Sequence, residues 1–246
     1  MKLRFIGTGS MSSVNNSASY LIDDIIAVDM PNGFCKNVMK MGIKLDEIKD
    51  VLITHFHGDH YFDLPFYFYR IKKEEKVTTN IYLNKSNIRK VMKLFKMAFP
   101  NTARKLKKHT KINYITKKEF QIGNYKIEKV LVNHGRLKPA FGYIIKNDDI
   151  KIGFTGDASY CENVEKMASV CDYLICDCRL KIGSNEHMGV DNILNMAKRY
   201  KNHKFVPSHM SDSTRRKMET EKIDNIIIPN DGDVIEIKEE EFYENY

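Results

Sequence analysis

The sequence predicts an α/β protein in which mixed β-sheets are covered by helices, on three observations. Short apolar strands and hairpin turns crowd the first half of the chain. Strands alternate with helices in the second half. No internal repeat, low-complexity linker or composition break divides the 246 residues, which therefore read as one domain, 1–246, ending in an acidic tail at 239–246. A hydrophobic content of 42%, with thirteen Phe and thirteen Tyr, is enough for a substantial core.

The elements follow in order. Lys2–Ile6 is an apolar strand running into the loop Gly7-Thr8-Gly9-Ser10. Ser19–Ile22 and Ile25–Val28 form a hairpin turned at Asp23-Asp24, and Asp50–Thr54 is a short buried strand. Asp63–Lys73 reads as helix. Ser86–Ala98 places Ile88, Val91, Met92 and Phe95 at helical spacing, with Pro100 beyond its end. A second basic helix is expected over Thr102–Lys108. Tyr125–Val132 is a strand, and Phe141–Lys146 with Ile150–Thr155 is a hairpin turned at 147–149. Helices are then expected at Glu162–Ala168, Asp191–Tyr200 and Ser211–Glu221. Strands are expected at Tyr173–Cys176, Lys204–Val206, Ile226–Ile228 and Val234–Ile237.

Composition narrows the function classes. No run of about 18 apolar residues exists, so a membrane span is not expected. The first residues, Met1–Ile6, do not read as a signal peptide. Five cysteines, an odd number, then point to reduced thiols and a cytoplasmic protein. The formal charge is +8 despite four glutamates in the last eight residues, and a basic body suits an anionic partner. Ten Lys or Arg and no acidic residue lie between Lys85 and Lys111. That segment either gathers an anionic substrate or is a solvated helix face.

The informative segment is Thr54-His55-Phe56-His57-Gly58-Asp59-His60. Four ligand-type residues fall within six positions, on a loop at the carboxyl end of a buried strand, where sheet proteins place their sites. Gly58 lacks a Cβ and lets the chain bend. A bent loop sends His55 and His57 one way and Asp59 and His60 another, which suits two adjacent cations. Imidazole and carboxylate donors accept zinc, manganese or iron. His134, Asp157 and His209 each end a predicted strand, so folding brings them beside this loop. Asp177, Asp29 and Ser10 also end strands on that edge. The first two suit a carboxylate that orients a ligand histidine. Cys176 and Cys178 alone would make an incomplete zinc site and read as buried side chains.

The His-x-His-x-Asp-His signature, followed by His, Asp and His in that order, resembles the metallo-β-lactamase superfamily over nearly the whole chain. The resemblance implies a four-layer αββα sandwich of two mixed sheets, with metals between the sheet ends. It implies that His55, His57 and His134 hold one divalent ion, most readily Zn²⁺, that Asp59, His60 and His209 hold a second, and that Asp157 bridges them. A cysteine stands at the position of Asp157 in true β-lactamases, so the resemblance leads away from antibiotic hydrolysis. Such a metal pair lowers the pKa of a bridging water toward about 7 and supplies hydroxide. Asp59 would also orient that nucleophile.

Asn133-His134-Gly135, Pro139–Tyr143 and Glu186-His187-Met188 are similar to the RNase Z group of transfer-RNA-processing nucleases and its small relatives. In that group the histidine matching His187 touches the scissile phosphate, which implies a general acid or charge stabiliser here. Arg136 and Lys138, close after His134, are further candidates for a phosphate contact. RNase Z carries a long RNA-gripping arm between the residues matching His134 and Asp157, and this chain has only a short hairpin there. That spacing looks more like the phosphonate-pathway cyclic phosphodiesterase, whose separate structural zinc site is not found here.

The expected function is therefore a metal-dependent phosphodiesterase acting on a small cyclic phosphate or nucleotide, or on RNA. Hydrolysis of a carboxylic ester, thioester or lactone by the same metals is the alternative. A non-catalytic module that binds an anionic ligand is the third reading. A homodimer is in keeping with the family.

Overall fold

A computed structural model describes residues 1–71, 77–102, 110–148 and 150–237. Two β-sheets face each other, and helices cover the outer face of each. The first sheet comprises β1 (Lys2–Gly7), β2 (Ser19–Ile22), β3 (Ile26–Val28), β4 (Asp50–Leu52), β5 (Val77–Tyr82), β6 (Thr110–Ile115) and β13 (Val234–Glu236), in the order β13-β1-β2-β3-β4-β5-β6. The second comprises β7 (Glu119–Ile122), β8 (Tyr125–His134), β9 (Leu137–Asn147), β10 (Ile150–Phe154), β11 (Tyr173–Asp177) and β12 (Lys204–Ser208), in the order β12-β11-β10-β9-β8-β7.

Period-two alternation builds the layers, because successive strand side chains point to opposite faces. In β1, Leu3 and Phe5 face the second sheet and Ile6 faces outward. The inter-sheet core joins Leu3, Phe5, Tyr20, Val28 and Leu52 to Ile127, Tyr143, Ile145, Phe154, Ile175 and Val206. Outside the first sheet, helices α1 (Phe34–Lys40), α3 (Leu64–Arg70) and α4 (Ile88–Ala98) bury Phe34, Val38, Tyr67, Phe68, Val91 and Phe95. Outside the second, α5 (Glu162–Val170), α6 (Val190–Arg199) and α7 (Asp212–Glu219) bury Val164, Met167, Ile193, Met196 and Met218. Each such side chain contributes about 1.5–3 kcal/mol relative to an exposed one. The four-layer αββα sandwich implied by the sequence resemblance is the architecture observed.

Several expectations need correction. Ile226–Ile228 is not a strand; only a single bridge joins Ile226 to Phe205. Strand character there lacked a neighbour to pair with along its length. Helix α1 and strands β5, β6 and β7 were not foreseen. β5 and β6, the latter at the end of its sheet, share a polar ladder with β4 that hides them from hydrophobic patterning. Asn80 Nδ2 donates to Asp50 Oδ1 at 2.8 Å, and Asn113 Nδ2 donates to Asn80 Oδ1 at 2.9 Å, each across registered strands. The expected Thr102–Lys108 helix, the end of the Asp63–Lys73 helix and the acidic tail lie outside the described residues.

Strand direction decides where chemistry collects. β10, β11 and β12 run parallel, and β8 shares their sense because both β8 and β10 are antiparallel to β9. His134, Asp157, Asp177 and His209 therefore arrive at one edge. Hydrogen bonds lock the two sheets together at that edge: Phe141 N donates to Thr54 O at 3.0 Å, and the Tyr143 side chain donates through Oη to Ile53 O at 2.8 Å. Among the described residues no helix is long and apolar enough to cross a membrane.

Candidate metal centre

The chain leaves β4 at Leu52 and passes Thr54 into His55, His57 and the short helix α2 (Gly58–Tyr61). One helical turn then separates the donors, placing His55 and His57 ahead of it and Asp59 and His60 on it. Gly58 is needed for space and not for a left-handed bend. A Cβ there would meet the Phe62 ring at 2.7 Å.

The seven expected metal-site residues converge. His55 Nε2 and His134 Nε2 lie 3.1 and 3.2 Å from His57 Nδ1, and 3.7 and 3.9 Å from Asp157 Oδ2. On the other side, His60 Nε2 lies 3.3 Å from Asp157 Oδ1, and His209 Nε2 lies 3.4 Å from Asp59 Oδ2. Donor atoms of His55, His57, His134 and Asp157 all lie within 4.8 Å of one another, as do those of Asp59, His60 and His209. His209 also belongs to a third such group with Asp157, Asp177 and His187.

Hydrogen bonds to the remaining ring nitrogens fix the imidazole planes. His60 Nδ1 sits 2.7 Å from Asp29 Oδ2, and Asp29 is itself held by the Thr54 amide and hydroxyl. His134 Nδ1 is 2.7 Å from the Glu186 carbonyl. His187 Nδ1 is 2.7 Å from Asp177 Oδ2, which also accepts the Ala158 amide. Asp29 thus orients His60, and Asp177 orients His187 while lying 3.5 Å from His209 Nδ1. The thiols of Cys176 and Cys178 are buried and free, and burial pushes both well up, as expected of core side chains.

Two observations show that this cluster fits divalent cations. His60 Nε2 and His209 Nδ1 are buried without a hydrogen-bond partner, which is costly unless something else engages them. Moreover, His57 Nδ1 faces two other ring nitrogens, and the single proton it can carry cannot serve both. The charges agree. Burial, with the neighbouring imidazoles, lowers His55 well below the usual histidine range, and burial lowers His57. Both therefore keep a lone pair. Burial opposes ionising Asp157, yet His209, His60 and His55 hold it well below the carboxylate range. Burial likewise opposes Asp59, which a hydrogen bond from His209 and the charge of His60 bring to about 2. Asp29 (φ 60°), His209 (φ 55°) and Gly156 (φ 59°) adopt left-handed backbone beside the cluster, and such conformations collect at functional sites.

Not every candidate joins. Arg136 stands exposed on the turn between β8 and β9, and Lys138 is exposed on β9. Ser10 is buried, with its Oγ unpartnered. Sequence reasoning missed Arg179, whose Nη1 lies 3.0 Å from His187 Nε2. The available signal was a cation two residues beyond the strand-end Asp177.

The model of the family described as anti-Pycsar protein Apyc1 matches residues 1–228. The chain belongs to that family. This Apyc1-family chain is 27% identical over 161 residues to ribonuclease Z of Pyrococcus abyssi, a match covering 61% of the chain. It spans about half, 49%, of that relative's length. Among solved structures, the metallo-β-lactamase fold protein YhfI of Bacillus subtilis superposes with a TM-score of 0.76 at 18% identity, covering 95% of this chain and 98% of the other. A diphosphatase of the PhnP family superposes with a TM-score of 0.73 at 19% identity, covering 96% and 98%. The Apyc1-family chain thus has the metallo-β-lactamase fold.

Proposed function

We propose that this protein is a metal-dependent phosphodiesterase whose substrate is a small cyclic phosphodiester, such as a cyclic nucleotide. The observation that carries the reading is the convergence of seven donors on one sheet edge with His187 beside them. The His187 ring centroid lies 4.8 Å from that of His134 and 5.5 Å from that of His209. His55, His57 and His134 would hold one divalent ion, Asp59, His60 and His209 a second, and Asp157 would lie between them. Zinc suits this all-nitrogen-and-oxygen set, and manganese and iron accept it too. When bound, the ions supply Lewis acidity and a water ionised near neutral pH.

The chain's own residues do the rest. Asp157 faces His55, His60, His134 and His209, and its charge offsets that of the cations. Asp59, half-buried at the mouth and ionised, orients the attacking water as well as binding. Asp177 fixes the His187 ring, which stabilises charge on the departing oxygen. Names among the relatives support phosphate chemistry: a ribonuclease and a diphosphatase. The small substrate is favoured over RNA by the segment between His134 and Asp157. Its described residues form β9 and β10, which pair from Tyr143–Phe154 to Asn147–Ile150 and leave no room for a gripping arm.

The test compares bis(p-nitrophenyl) phosphate, a cyclic nucleotide and RNA with an acyl-lactone panel, using wild type and His187→Ala at matched metal content. Diester and cyclic-nucleotide cleavage is expected, with a loss on the order of 10²–10⁴-fold in the variant. Lactone turnover with no diester cleavage would instead establish the carboxylic-ester alternative.

A further inference from the structure

Arg179 lies on the loop after β11, and both sides of its backbone are anchored. Its amide donates to Asp177 Oδ1 at 3.1 Å, and its carbonyl accepts from the buried Thr214 hydroxyl of α7 at 2.7 Å. The side chain turns to the metal edge and places Nη1 3.0 Å from His187 Nε2. Among the described residues it forms no ion pair with a carboxylate. Its positive charge is therefore not neutralised locally, although Asp177 lies one imidazole away.

The hydrogen-bond roles along this line are forced. A guanidinium can only donate, so His187 Nε2 accepts from it. Nδ1 of the same ring must then be the donor, toward Asp177 Oδ2 at 2.7 Å. The outward nitrogen of His187 is thereby engaged, while Arg179 keeps four further N–H groups in a planar fork. Such a fork matches the spacing of two phosphate oxygens. His187 also packs against His134 and His209, so this fork is one hydrogen bond from a ring that touches the metal donors.

We propose that Arg179 is a substrate-binding residue that grips the non-bridging oxygens of the phosphate: the Asp177–His187 pair holds its guanidinium ready, and its transfer to the phosphate frees His187 Nε2 to take the proton its charge-stabilising role requires. This deepens the phosphodiesterase reading and rests on it for the identity of the anion. Under this assignment Arg179 faces the anionic phosphoryl group throughout the reaction, and the exposed Arg136 is not needed for that contact.

The experiment measures binding of inorganic phosphate to the metal-replete protein by calorimetry, for wild type, Arg179→Met and Arg179→Lys, with metal content measured in each. A charge-assisted contact predicts phosphate affinity weakened about 10- to 100-fold in Arg179→Met, and by less in Arg179→Lys, which keeps the charge and loses the fork. Metal content stays at the wild-type value. Millimolar guanidinium is expected to restore part of the bis(p-nitrophenyl) phosphate turnover of Arg179→Met and to leave wild type unstimulated. Unchanged phosphate affinity in Arg179→Met overturns the proposal whatever turnover does. If wild type cleaves no diester but its phosphate affinity still depends on Arg179, the hydrolytic reading fails and the anion-binding role stands.

Discussion

Lys129 shows at single-residue scale what burial does to a charge between the sheets. It is 4% exposed in the seam between the sheets, its Nζ donating to Leu83 O at 3.2 Å and lying 5.2 Å from the Phe141 ring centre. Burial lowers its pKa from the usual 10.5 to about 8. Below about pH 8 the folded protein carries the full cost of a buried ammonium. Between about 8 and 10.5 the unfolded chain binds a proton that the folded chain does not, so this residue makes stability rise with pH. Above that window the cost is gone. Lys129→Met is therefore expected to be more stable than wild type at pH 7, with the difference shrinking as pH rises toward 10.5. Urea unfolding at pH 7 and pH 10 checks this, and a difference independent of pH would assign Lys129 to packing alone. The His55–His60 candidates could be read from the sequence because their spacing is chemically specific, His134, Asp157 and His209 because each ends a strand, and His187 through the resemblance to the RNase Z group. Arg179 and Lys129 could not, since an isolated cation looks like any solvated one until folding gives it neighbours.

At the scale of elements, the turn after β10 sets the centre's geometry. Gly156 has φ 59°, and a Cβ on it would lie 2.8 Å from Thr54 Cβ and 3.0 Å from Phe141 O. Thr54 holds Asp29 and through it His60, so crowding here displaces donors from both sheets. Gly156→Ala is expected to cost about 1–3 kcal/mol and to lower metal retention after gel filtration. Gly123 is the control: it shares a positive φ, 54°, but a Cβ there meets nothing within 4 Å. Gly123→Ala should carry backbone strain and keep its metal. Equal metal content in the two variants would show that the Thr54 contact does not govern the site. The strands that hairpin turns delimit, β1 to β3 and β8 to β10, were legible because their apolar runs end at marked turns. β5 and β6 were not, because their Asn80–Asn113 ladder satisfies polar groups across strands, and no one-dimensional pattern records that.

For the whole molecule, the centre is also a clamp. Its donors come from both sheets: His55, His57, Asp59 and His60 follow β4 of the first, while His134, Asp157 and His209 end β8, β10 and β12 of the second. An ion that binds only the folded arrangement stabilises it by RT ln(1 + [L]/Kd), about 4 kcal/mol at a free concentration 1,000 times Kd. In a chain of this size 1 kcal/mol shifts Tm by about 2–4 °C, so chelation should lower Tm by roughly 8–16 °C and return of the metal should restore it. His134→Ala removes a second-sheet donor and ought to shrink that metal-dependent increment without abolishing the fold, since the inter-sheet core of Phe5, Tyr143 and Phe154 is untouched. Thermal scans of both proteins, with chelator and with added zinc, separate the two contributions. A Tm that ignores metal in wild type would mean that the sheets are already locked by their core and by the Phe141–Thr54 and Tyr143–Ile53 hydrogen bonds, leaving the ions only a chemical role.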